Sequence, residues 1–182
     1  MVEIISAALF IFLYHLDGLS GIFFAHAFFV SALVVIFFID LEFQIIPDVI
    51  TLPGMFIGLA AAIFLDSPGL VNSLLGLVVG GLTLLGVGAL GEWLFRKEAM
   101  GGGDIKMAAM MGAFVGWQKV LLIFVAGAAI GMVVSMVWMI FSPKVRRGGL
   151  IPFGPFLAMA AMIVLIYGER IIRYYVETFL LT

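Results

Sequence analysis

Asp40 and Asp104 are the residues of this chain best placed to do chemistry, because each sets a carboxyl group at the edge of a long apolar run. Asp40 follows Phe28-Phe29-Val30-Ser31-Ala32-Leu33-Val34-Val35-Ile36-Phe37-Phe38-Ile39, in which a single serine is the only polar interruption. Asp104 closes Met100-Gly101-Gly102-Gly103 and precedes the apolar stretch from Ile105 to Phe114. An ionisable side chain at membrane depth is costly and is a functional candidate for that reason. Carboxylates so placed serve either as a paired acid and base or as a proton relay. Bland roles stand beside these: Asp40 at a boundary reaching headgroup water, Asp104 as the N-cap of the helix that follows it, with the glycines as a flexible linker. The same glycines also permit close approach of backbone to backbone or to substrate. Asp48, after Pro47, is a turn or cap residue.

The remaining polar side chains exclude other chemistries. His15 stands at a span end and His26 alone in an apolar helix; neither has a ligand partner at metal-binding spacing, and no metal or other cofactor is expected. No serine–histidine arrangement for nucleophilic catalysis stands out. The absence of cysteine removes disulfides, thiolate metal sites and cysteine nucleophiles.

The elements that must carry these residues follow from composition. Of 182 residues, 65% are hydrophobic and 11% charged, and the mean hydropathy is +1.31. That excludes both a water-soluble domain, which carries about a quarter charged residues, and disorder. The expected fold is an all-α, polytopic integral membrane bundle of about seven spans, forming one membrane-embedded domain over 1–182. Spans are expected at 2–15, 20–40, 49–65, 71–95, 104–117, 119–141 and 152–168. The pairs Gly54/Gly58, Gly76/Gly80 and Gly127/Gly131 mark faces where helices approach closely. Glu169, Arg173 and Glu177 lie at i,i+4 spacing on an interfacial extension of the last span.

Lysine and arginine set the orientation. With the 40–49 connection inside, Arg96, Lys97, Lys106, Lys144, Arg146 and Arg147 also fall inside, against Lys119, Arg170 and Arg173 outside. Six against three places the N-terminus inside. Asp40 then ends an inward span and Asp104 begins an outward one, so both reach the same face.

Three segments resemble one family. Ile39-Asp40-Leu41-Glu42-Phe43-Gln44-Ile45-Ile46-Pro47-Asp48-Val49-Ile50-Thr51-Leu52-Pro53 is similar to the first signature of the type IV prepilin peptidases. Met100-Gly101-Gly102-Gly103-Asp104-Ile105-Lys106-Met107 resembles their Gly-x-Gly-Asp motif, and Pro152-Phe153-Gly154-Pro155-Phe156 a third segment. The resemblance implies an intramembrane aspartic protease of the inner membrane, with Asp40 and Asp104 catalytic and Asp48, Gly101, Gly103 and Lys106 in support. It implies removal of a short basic leader from prepilins or type II secretion pseudopilins, after a glycine, at the cytoplasmic face. No covalent intermediate, metal or nucleic-acid partner is expected; the partners are a substrate with an N-terminal hydrophobic helix and the bilayer. Val2 to Leu9 looks like the family segment that follows a Cys-x-x-Cys loop in long members. The chain is therefore a short form or a shortened piece, and the N-methyltransferase activity of long members is not expected. Helix ends favour Asp104, with Lys106 nearby, as the resting base and Asp40 as the acid. Alternatives are a proton-coupled transporter or channel, a preflagellin peptidase, and a presenilin-like protease, whose Pro-Ala-Leu element does not appear here.

Overall fold

The computed structural model describes residues 2–97, 100–141 and 152–179. Every regular element among them is helical: α1 (Val2–Asp17), α2 (Gly21–Phe43), α3 (Asp48–Phe64), α4 (Leu70–Phe95), α5 (Gly102–Val115), α6 (Trp117–Phe141) and α7 (Gly154–Phe179). The seven helices stand where seven spans are expected. Four of them, α2, α4, α6 and α7, are long and apolar enough to cross a bilayer by length and composition. α1, α3 and α5 have 16, 17 and 14 residues. The chain is a multi-pass membrane protein.

α5 is the hub. At 1.5 Å per residue its 14 residues cover about 21 Å, less than the ~30 Å hydrocarbon layer. Every residue from Met107 to Val115 is buried, so protein rather than lipid surrounds it. Phe29, Leu33 and Ile36 of α2, Leu157 and Ala161 of α7, and Met107, Met110 and Met111 form the core around it. Phe29 stacks on Phe114 with ring centroids 4.6 Å apart.

Lipid supplies no hydrophobic drive between helices, so the bundle closes through small residues. A β-carbon on Gly76 would land on the Gly112 carbonyl, and one on Gly112 on the Gly76 carbonyl. Ser73, on the same α4 face, donates to the Ala113 carbonyl at 2.6 Å. Gly58 lies against Ala113 and Phe114, and Gly127 and Gly131 lie against Leu157 and Phe156. All three small-residue pairs are packing seams, and two of them grip α5.

α1 is peripheral and packs on α2 through Leu13, Val30 and Val34. His26, expected to stand alone, pairs with Asp17 at 2.7 Å and ties the end of α1 to the start of α2. At the end of the bundle holding the 65–69 connection, Glu169 accepts from Lys119 of α6 at 3.0 Å, a pairing across helices that was not among the expected i,i+4 contacts.

Candidate active site

Asp40 sits in the last turn of α2, which runs three residues past its expected end. Its backbone carbonyl accepts from the Gln44 N–H at 3.0 Å, and Gln44 takes a left-handed conformation (φ 55°) that stops the helix. Ile45, Ile46 and Pro47 then cross to α3. The Asp40 side chain is only 5% exposed and is the sole buried ionisable group among the described residues. Its carboxylate accepts from the backbone N–H of Gly154, the first residue of α7. A β-carbon on Gly154 would stand 2.5 Å from Asp40 Oδ2. The sequence assigned Gly154 to a motif but gave it no role; its contact with Asp40 is long-range and leaves no mark in local spacing.

Asp104 is not the N-cap of α5. Gly101 takes that position, and Asp104 is the third helical residue. Its carboxylate reaches back to the Gly101 N–H, while the Gly101 carbonyl accepts the Asp104 N–H at 3.1 Å. The reach of the third residue back to the N-cap N–H is one half of a capping box, the other half being replaced by a backbone bond because Gly101 has no side chain. The other carboxylate oxygen, Oδ1, is buried with no hydrogen-bond partner. Buried polar atoms are nearly always satisfied, so this acceptor is left open to a partner from outside the described residues. Gly102 and Gly103 are helical rather than linker, and Gly103 serves close approach by packing directly against Ile46, whereas a β-carbon on Gly102 would meet nothing.

Asp40 and Asp104 line one cavity of about 230 Å³ with Gln44, Ile45, Ile46, Gly101 and Gly103. Their charges are near enough to interact. The first turn of α5 brings Asp104 to this cavity, and the last turn of α2 brings Asp40.

Two expectations change. Lys106 does not serve Asp104: its ammonium binds Asp48 at 2.5 Å, joining the first turns of α3 and α5 at the surface. Both partners are roughly half exposed, so Lys106→Met is expected to lower stability by less than about 1 kcal/mol in a denaturation titration. The helix ends also no longer separate acid from base by themselves: Asp40 is in the last turn of α2 and Asp104 in the first turn of α5, as expected, but Asp40 also meets the start of α7 at Gly154. Lys144, Arg146 and Arg147 lie outside the described residues. Without them the two ends carry Arg96, Lys97 and Lys106 against Lys119, Arg170 and Arg173.

The sequence pattern of the type IV leader peptidase family matches residues 27–136, a stretch holding Asp40, Asp48, Gly101, Gly103, Asp104 and Lys106. The chain belongs to that family. It is similar to the prepilin leader peptidase/N-methyltransferase of Pseudomonas aeruginosa, 38% identical over 76% of this chain and 48% of that protein. The corresponding protein of Dichelobacter nodosus is 36% identical over 94% of this chain and 58% of its own length. That of Aeromonas hydrophila is 34% identical over 81% and 51%. The chain thus spans about half the length of the curated relatives it matches. No solved structure matches it. Gly154 lies beyond the stretch matched by the family pattern, yet it touches Asp40.

Proposed function

We propose that this family member is a membrane aspartic endopeptidase that removes the short basic leader of type IV prepilins or type II secretion pseudopilins. The observation that carries the reading is the meeting of Asp40 and Asp104, from helices distant in sequence, in one cavity at one end of the bundle. One carboxylate, ionised, takes a proton from a water that attacks the scissile carbonyl. The other, protonated, polarises that carbonyl and protonates the departing amine. Two close carboxylates cannot both ionise comfortably, so the resting pair holds one proton, and its titration belongs to the pair.

The cut falls after the leader glycine on the cytoplasmic side of the inner membrane. Support comes from the sequence, in which the segments 96–106 and 142–151, on the same side by alternation of the spans, carry Arg96, Lys97, Lys106, Lys144, Arg146 and Arg147. A proton-coupled transporter is less well supported. Its acids would form a path across the bundle, whereas the core holds Met107, Met110 and Met111, and Asp40 is the sole buried ionisable group among the described residues.

The test is to incubate the purified chain in lipid with a prepilin bearing its leader and to weigh the products. A single cut after the glycine is expected; an intact prepilin overturns the reading. In the same assay Gly154→Ala is expected to slow cleavage at least about tenfold, because the new methyl displaces the carboxyl group that must meet water. An unchanged rate would remove Gly154 from the site.

A further inference from the structure

We infer that Ile46 is a positioning residue: its side chain is the spacer that sets the separation of Asp40 and Asp104. Ile46 lies in the non-helical connection between α2 and α3, lines the aspartate cavity, and is 8% exposed. A β-carbon on Gly103 would stand 2.8 Å from Ile46 Cβ and 3.3 Å from its carbonyl oxygen. A β-carbon on Gly154 would stand 3.2 Å from Ile46 Cδ1. The near end of the side chain therefore abuts the residue preceding Asp104, and the far end abuts the residue whose N–H holds Asp40. Neither glycine takes a positive φ, so both are there for room rather than for a turn. The room is filled by Ile46, and membership in the main core cluster anchors it.

A pair that shares one water tolerates little error. A displacement near 1 Å costs about 10²-fold in rate. Removing the γ and δ carbons of Ile46 leaves its β-carbon against Gly103 but lets the start of α7 close over the lost volume, which moves Asp40 relative to Asp104 and alters the gap between the carboxyl groups. This inference rests on the peptidase reading for its rate effect, but the spacing itself has a readout independent of catalysis.

Two experiments on the full chain test it. In prepilin cleavage, Ile46→Ala is expected to lower kcat about 10- to 100-fold with KM changed less than threefold. Ile46→Leu, which keeps the carbon count, retains at least half the activity. Equal kcat in Ile46→Ala and the parent, or a loss confined to KM, overturns the spacer role while leaving the peptidase reading intact. The second experiment uses the absence of native cysteine. In the Asp40→Cys/Asp104→Cys chain, adding Ile46→Ala is expected to raise the rate of disulfide formation under a mild oxidant at least threefold. An unchanged or lower rate overturns the inference whether or not the parent cuts prepilin. Disulfide formation in the Asp40→Cys/Asp104→Cys chain, beside a parent chain that leaves prepilin whole, would instead refute the peptidase reading.

Discussion

Asp40→Asn and Asp104→Asn are each expected to reduce leader cleavage by at least about 10³-fold while leaving KM within a few fold. The amide has the shape of the carboxyl group, and its oxygen still accepts the Gly154 N–H at position 40 or the Gly101 N–H at position 104. It can neither take a proton from water nor hold the shared one. The check is steady-state cleavage with each variant beside a circular dichroism melt. A loss accompanied by unfolding would mean that the aspartates are structural; a loss with an unaltered melt is the expected result.

The largest stability effect is expected where α5 is gripped. Gly112→Ala places a methyl on the backbone carbonyl of Gly76, and Gly76→Ala does the reverse. Backbone cannot rotate aside as a side-chain tip does, so the two helices must separate. Separation also stretches the Ser73 bond to the Ala113 carbonyl. Overpacking of this kind costs about 3 kcal/mol or more. Gly86→Ala on the same helix meets nothing within 4 Å and serves as the control, expected to leave stability unchanged or slightly raised through better helix propensity. Unfolding titrations of the three variants in mixed micelles read the difference. Equal midpoints for Gly112→Ala and Gly86→Ala would show that the seam is looser than the structure has it.

Much of this architecture is legible in the chain. Apolar runs broken by glycine, proline and charge give all seven helices to within two or three residues at most ends. The apolar run of α7 ends near Gly168, and the helix continues to Phe179 through the helically spaced Glu169, Arg173 and Glu177, the extension expected from their spacing. Asp40 and Asp104 stand out because charge at the edge of an apolar run needs a reason. What remained hidden is pairwise. Gly76/Gly80 announced a seam without naming Gly112 as its other side. Lys106 looked like a partner for Asp104 because they are neighbours in sequence, yet a longer reach takes it to Asp48. His26 found Asp17 across a turn between helices. Ile46 carries no chemical signal at all, and only its place between two glycines gives it meaning. Periodicity reports which face of a helix is apolar; it does not report which helix lies against that face.

The account turns on Asp40 and Asp104 acting as one unit, and a kinetic cycle tests that most directly. Cleavage rates are measured for the parent, Asp40→Asn, Asp104→Asn and the double variant, on the same prepilin and in the same lipid. Groups that act together in one step are grossly non-additive. The predicted result is that the double variant is no slower than either single one. Losses that multiply, or a single variant that cleaves at the parental rate, would contradict a shared site.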